Sequence, residues 1–431
     1  MKILIDGYNL GLRQGTGIAT YGRELSNLLT KNGHDVGCFY EFAGLNYQRD
    51  TWPQFIQHLN VTPHFGPWEK MINVMLRLPD YKAYLSRKAL MLKSIPKDTS
   101  IINSMPERLP RLNAVYNADH LFKFSIAMNR LHGRNTLITD DDQKYDVMHL
   151  TSPLPIKLRK RAKIVTIHDI VPIVAPDTTA VKIKTYRNLI KHSIADADDI
   201  CVVSQRTKTD LLNHFDVGEE KIHVTYQSVT IPAHLKNLDP DYLNRYLKTN
   251  FNLEYKKFFL FYGAIEPKKN IRRLLEAYSL SKSKYPLVIV GKDGWLSEDV
   301  HLFYNNLNTH TFRRFMRIKY LPFRNLMMLL QSATGLIFPS IYEGFGLPVL
   351  EAMEMGVPVI SSNSSSLPEV GGDAVCYVDP FDVEGMAKCI DRFAEDPAYC
   401  NDLVQRGHDQ AKKFSADQHY KNLMRVYQRY G

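Results

Sequence analysis

Residues Phe338 to Asp379 read FPSIYEGFGLPVLEAMEMGVPVISSNSSSLPEVGGDAVCYVD, and the reading of this stretch decides the fold. The apolar run Leu336 to Phe338 predicts a buried strand, and Glu343-Gly344-Phe345-Gly346 predicts a turn leaving the sheet edge. Pro348 suits a first helical position, and Val349 to Met355 supply the helix. Gly356-Val357-Pro358 ends that helix, and Val357 to Ile360 predicts the next parallel strand. Unpaired amides at a helix N-terminus attract anions, and glycines let a ligand approach the backbone. The segment Gly344 to Leu347 therefore suits a diphosphate or sugar hydroxyls. Glu343 in the turn and Glu351 about one helical turn further in can face one crevice. Carboxylates accept hydrogen bonds from vicinal hydroxyls, so one suits a ribose and the other a hexose. Simpler roles stand beside these: a tight connection for Gly-Phe-Gly, and a glutamate that complements the helix dipole.

Glu343 and Glu351 lie in PSxYEGFGLPVLEAM, followed by GVPVIxS and SLPEVGGDA. This pattern closely resembles the signature of family 4 retaining glycosyltransferases, which have the α/β GT-B fold of two Rossmann-like domains facing a central cleft. The resemblance implies that Glu343 contacts the donor sugar and Glu351 the nucleotide ribose. It also implies that the amides of Phe345, Gly346 and Leu347, in the turn opened by Gly344, contact the sugar or phosphates. An acceptor-side domain is expected over residues 1–232 and a donor-binding domain over 233–413. Residues 414–431 are expected to pack back on the first domain.

The chain has 431 residues, more than one core usually holds, so two domains are expected from length as well. MKILIDGYNL at the start reads as a first strand and not as a signal peptide. No stretch approaches eighteen uninterrupted apolar residues, which argues against a transmembrane helix. The five cysteines are odd in number and lack CxxC spacing, so a disulfide framework or zinc site is disfavoured and scattered thiols in a reducing compartment are expected. A cytoplasmic location follows. The net charge of +10 calls for an anionic partner: nucleotide phosphates, an anionic membrane or nucleic acid. No nucleic-acid-binding motif is present, so nucleic acid is the least favoured.

Taken in order, Met1 to Asp6 is strand-like, and Gly15-Thr16-Gly17 leads into a helix. A lone GTG often only allows a turn, but the resemblance implies that Gly17 lines the cleft. Trp68 to Lys97 carries seven Lys or Arg against two acids, Glu69 and Asp80, half of the net charge in thirty residues, interleaved with apolar side chains. That combination suits a helix lying on anionic lipid. The alternative is a helical hairpin packed on the sheet, and Pro79 is expected to break any single long helix.

The strand Ile164 to Ile167 ends in His168-Asp169, and a histidine at a strand's carboxyl end faces the ligand crevice of an α/β sheet. TIHDxxP also resembles the family's N-terminal domains, which implies that His168 lies beside donor sugar and acceptor and helps to position them or to share protons. The other reading is that His168 caps the turn while Asp169 anchors the loop. His149 is the weaker candidate. Ser204 touches ligand or simply caps the helix after it. A polar segment to Tyr255 reads as the interdomain connection, and Phe258 to Tyr262 begins a new sheet.

Lys268 and Lys269 then sit at a helix start, where a bound anion would compensate their poor match to the dipole. GxxEPxKN resembles the family's diphosphate-gripping segment, which implies that Lys269, and next Lys268, hold the donor phosphates. Ala264 stands where many relatives have arginine, so one phosphate contact is missing or supplied by Lys268. Trp295 is a packing residue or a ligand platform. The resemblance places the nucleotide base near Ile318 to Pro322. No Asp-x-Asp metal motif stands at a strand end, since Asp140-Asp141-Asp142 lies in a polar loop, and no metal or other cofactor is expected.

The function expected is retaining transfer of a hexose from a nucleotide-diphosphate sugar to a hydroxyl of a glycan or lipid-linked acceptor, with peripheral contact at the inner face of the membrane through 68–97. The variants GTGIATY and EPKKN resemble enzymes of bacterial surface polysaccharide assembly, which points to GDP-mannose or a GDP-deoxyhexose. An epimerase of the same fold, which would need no acceptor, and a silent nucleotide-sugar-binding protein are the alternatives.

Overall fold

The computed structural model describes residues 1–11, 17–41, 78–95, 110–118, 120–139, 145–310 and 315–431. Gly15 and Thr16, the stretches 68–77 and 96–97, and Asp140 to Asp142 lie outside them. Among the described residues two large sheets dominate. The first runs in the order Ile222–Val224, Asp199–Val202, Ala162–Ile167, Val147–Leu150, Lys2–Asp6, Asp35–Tyr40, Ala114–Asn117 and Lys93–Ile95, parallel except at the last pairing. The second is parallel throughout, in the order Phe315–Ile318, Leu287–Val290, Phe259–Tyr262, Gly335–Phe338, Val359–Ser362 and Val375–Val378. Three shorter strands, Leu90–Met91, Thr136–Thr139 and Ile156–Leu158, form a separate small sheet.

FLFY of Phe259–Tyr262 and GLIF of Gly335–Phe338 are buried along their whole length, because helices cover both faces of a parallel sheet. In the first body the helix Gly17–Lys31 turns Ala19, Tyr21, Leu25, Leu28 and Leu29 inward at helical spacing. Apart from the antiparallel edge strand Lys93–Ile95, each sheet reverses its strand order once, between Lys2–Asp6 and Val147–Leu150 in the first and between Phe259–Tyr262 and Gly335–Phe338 in the second. Diverging connections at such points open a crevice at the carboxyl ends of the strands. These are two Rossmann-like bodies in the GT-B arrangement.

The final helix, Ala416–Tyr427, is capped by Ser415 and buries Leu423, Val426 and Tyr427 against Ile3, Tyr21 and Leu25 of the first body. The Tyr427 hydroxyl meets His149 Nδ1, while His149 Nε2 lies 2.7 Å from Thr166 Oγ1. His149 is fully buried, and burial, with His419 and His168 nearby, lowers its pKa to about 3, so it is a neutral packing residue.

Two segments gain detail beyond what was expected, and one expectation needs correction. The polar segment read as a connection contains the helix Pro240–Phe251, capped by Asp239, started by proline and stopped by Asn252 in the left-handed region; Leu243 and Leu247 bury its inner face. Pro79 is the second residue of the described helix Leu78–Leu85, where its missing N–H would have no partner in any case, and the residues before Leu78 lie outside the described ones. Tyr84 of that helix is buried against Phe124, leaving Leu85 and Met91 exposed. The thiols are not all scattered, since Cys376 and Cys389 lie 2.9 Å apart. Among the described residues no helix is long and apolar enough to cross a membrane.

Candidate active site

The Glu343 turn leaves Gly335–Phe338 at the reversal point of the second sheet, and the helix Leu347–Glu354 follows it. Every carbonyl of the turn is held. Ser366 Oγ donates to the carbonyls of Glu343 and Phe345 at 2.9 and 2.8 Å, and Ser204 Oγ, from the other body, donates to that of Gly344 at 2.7 Å. The Glu343 amide donates to Ser365 Oγ at 2.9 Å. Phe345 drives its ring into the core beside Phe414 and Tyr226. Gly346 has φ 119°, open to glycine alone at low cost. The amides of Phe345, Gly346 and Leu347 are left at the helix N-terminus with no acceptor among the described residues, an arrangement that favours an anion.

Lys269 Nζ lies 2.6 Å from Glu343 Oε1 and 5.0 Å from the Phe338 ring centre. Lys268 Nζ lies 3.6 Å from Glu266 Oε1. Burial pushes the Glu343 carboxyl up, but the ammonium groups of Lys269 and Lys268 outweigh it and hold the pKa below the ordinary value. Lys268 moves upward: burial works against its charge, yet Glu343, Asp169 of the other body and Glu266 prevail. The two lysines do not begin a helix, as their sequence position predicted. They close a short 3-10 turn, Pro267–Lys269, and Asn270 at φ 60° starts the helix Ile271–Leu280. Asn270 Nδ2 donates to the carbonyls of Pro339 and Pro380, which pins this loop to the Glu343 strand.

Glu351 lies on the helix behind the turn, and Tyr262 Oη donates to its Oε2 at 2.5 Å. Burial raises its pKa to about 7 despite that hydrogen bond. In the first body Asp6 ties the diverging strands together by accepting the amides of Tyr8 and Thr151. Burial lifts its pKa to about 6.

His168 Nε2 donates to the Thr151 carbonyl at 2.9 Å, and Nδ1 lies 3.2 Å from the Gln227 amide nitrogen. Both ring nitrogens are therefore occupied, and burial lowers the pKa. His168 meets the Glu343 turn through its backbone: a Cβ on Gly344 would stand 2.1 Å from the His168 carbonyl oxygen. The proton-sharing role expected of His168 thus lacks a free nitrogen in this state. Gly17 lies opposite Leu347, since a Cβ there would come 3.9 Å from Leu347 Cδ1. Ser204 is both cap, accepting the Thr207 amide, and cross-cleft contact. Among the described residues no group of three or more His, Cys, Asp or Glu could hold a metal ion.

Sequence reasoning missed Ser365, Ser366, Tyr262, Gln227 and Glu266. The run SNSSS beside a predicted strand end was the signal available for the serines.

Two family models match the chain: Glycosyltransferase Family 4 over residues 107–231 and Glycosyl transferases group 1 over residues 246–410. O-antigen chain mannosyltransferase B of Escherichia coli is 33% identical over 268 residues, covering 61% of this chain and 68% of that protein. The chain belongs to glycosyltransferase family 4. O-antigen chain mannosyltransferase RfbU of Salmonella typhimurium is 28% identical over 269 residues, with 62% and 69% covered. Among solved structures, sucrose-phosphate synthase of Thermosynechococcus elongatus superposes with TM-score 0.66 at 19% identity, covering 100% of this chain and 98% of that one. HepE of Anabaena, in complex with UDP and glucose, gives 0.66 at 14%, with 99% of each covered. These structures share the GT-B fold, and this family 4 member is a glycosyltransferase.

Proposed function

We propose that this glycosyltransferase moves mannose, or a related deoxyhexose, from a GDP-linked donor to a hydroxyl of a glycan or lipid-linked acceptor in surface polysaccharide assembly, with retention at the anomeric carbon. The observation that carries the reading is the Lys269–Glu343 pair beside the open amides of Phe345 to Leu347. The names of the O-antigen mannosyltransferases support the choice of sugar.

In this reading the donor diphosphate lies against those amides and Lys269, with Lys268 behind them, and Glu343 accepts hydrogen bonds from the hexose hydroxyls. Glu351 takes the ribose hydroxyls through the oxygen that Tyr262 leaves open. The bond between the anomeric carbon and the diphosphate oxygen breaks while the acceptor oxygen bonds to the same face of that carbon. The acceptor's proton passes to the departing phosphate. Fixed amides and ammonium groups stabilise the charge that develops there, an electrostatic contribution that needs no metal. His168 positions the two bodies through its carbonyl. An anionic membrane is the surface on which a lipid-linked acceptor would be met.

Thermal shifts with GDP, UDP, ADP and dTDP test the site. At a hundred times its dissociation constant a ligand stabilises the folded state by about 2.7 kcal/mol. GDP is expected to shift the wild type, and Glu351→Ala to remove most of the effect. A shift by another diphosphate alone would reject the proposed base, and an equal shift in Glu351→Ala the ribose contact.

A further inference from the structure

Beside the charged turn the cleft has a second border, on the loop after the neighbouring strand. The turn Asp293 to Ser297 follows the strand Leu287–Val290 and is clamped to the lysine loop: the Gly294 amide donates to the Ile265 carbonyl and the Ile265 amide to that of Lys292, each at 2.9 Å. Its apex carries Trp295, 40% exposed, and Leu296, 58% exposed. Leu296 has φ 52°, a left-handed conformation that costs a leucine free energy, so the backbone is strained where it shows an apolar side chain to solvent.

Trp295 Nε1 donates to the Thr178 carbonyl of the other body at 3.0 Å. Two residues later the chain runs through Ala180-Val181-Lys182-Ile183-Lys184, all exposed, with Val181 at 47% and Ile183 at 42%. From Ala180 to Ala195 there are four permanent cations, Lys182, Lys184, Arg187 and Lys191, and no acid. The nearby acids are Asp177, Asp293, Glu298 and the buried Glu266, of which Asp293 is paired with Arg317 and His301 and Glu266 with Lys268. Exposed apolar side chains from both bodies thus flank the Trp295–Thr178 contact, with Lys182 and Lys184 alternating with Val181 and Ile183.

We propose that Val181, Lys182, Ile183, Lys184, Trp295 and Leu296 form a docking lip that seats the cleft mouth on an anionic lipid bilayer. The proposal rests on the function proposed above and names the surface at which the lipid-linked acceptor is met. Apolar tips set among lysines match a bilayer, where acyl chains lie below anionic headgroups. A second copy meeting the same face about a two-fold axis would set these lysines against one another, which disfavours it as the occupant. The strain at Leu296 and the position of the lip on the cleft edge set it apart from the basic stretch at 78–95, whose Leu85 and Met91 lie on a different helix and strand.

Cosedimentation with vesicles of phosphatidylcholine containing phosphatidylglycerol, against phosphatidylcholine alone, tests it. The wild type is expected to bind the anionic vesicles and to be released as salt rises. K182Q/K184Q is expected to weaken partitioning roughly thirty-fold. I183D/L296D is expected to abolish it, and K82Q/K88Q to leave it as in the wild type. All these positions are exposed, and an unchanged melting temperature confirms folding. The lip is overturned if the wild type fails to bind, if both lip variants bind normally, or if K82Q/K88Q alone loses binding. A wild-type dimer dispersed by L296D overturns it in favour of an interface between copies. Thermal shifts with GDP on the same preparations decide the donor site separately: no shift in any of them would reject that reading and leave the vesicle result standing.

Discussion

At the scale of single residues, two carboxylates on one loop and helix are shifted in opposite directions from the ordinary carboxyl pKa. Glu343 is kept ionised by Lys269 and Lys268, whereas burial leaves Glu351 titrating at about 7. Its folded pKa lies above the 4.5 of a free glutamate, so its contribution to stability is full below about 4.5 and falls as pH rises towards 7. Binding runs the other way, because the carboxylate is the better acceptor for ribose hydroxyls. Affinity for the nucleotide is therefore expected to rise between pH 6 and 8, and titration calorimetry on Glu351→Gln should show that rise flattened. The Lys269–Glu343 pair makes a separate prediction. Lys269→Met leaves the buried carboxylate with Lys268 as its remaining cation and should cost about 3 kcal/mol in urea denaturation. Adding Glu343→Gln should restore much of the stability and none of the turnover, which separates the structural from the chemical role of the pair.

Among the elements, the strand, turn and helix around Glu343 could be read from the chain because glycine and proline punctuate them and the apolar run before them is unbroken. The supports of the turn could not. Tyr262 and Glu351 are 89 residues apart, Ser204 and Gly344 are 140 apart, and nothing local marks either pair. The lysine loop was misjudged for a related reason: Asn270 takes a left-handed conformation because its side chain bridges two distant carbonyls, and that contact delays the helix past the lysines. Ser366 is fully buried and satisfies two carbonyls of the turn. Ser366→Ala should therefore cost about 1–3 kcal/mol. It should also raise KM for the donor more than it lowers kcat, because the amides of Phe345 to Leu347 lose their alignment; an unchanged KM would mean that the turn keeps its shape without this serine.

For the whole molecule, the two bodies meet at backbone contacts that leave no room for a side chain. Gly344→Ala drives a methyl into the His168 carbonyl and must push the bodies apart, so turnover is expected to collapse while each body stays folded by circular dichroism. Leu423→Ala tests the other connection. Removing this buried side chain from the returning helix should cost about 2–5 kcal/mol and lower the melting temperature of the first body. The two-body plan followed from chain length and from two strand-to-helix turns, but the closeness of the bodies depends on contacts such as Tyr342 with Asp210 and Trp295 with Thr178 that no local pattern announces. The central claim is retaining transfer dependent on Glu343. It is tested most directly by incubating the protein with GDP-mannose and a mannose-terminated acceptor and determining the anomeric configuration of the product by NMR, for the wild type and for Glu343→Ala. The account predicts a product of the same anomeric configuration as the donor from the wild type, and none from the variant although it still binds GDP. An inverted product, or undiminished transfer by Glu343→Ala, would contradict it.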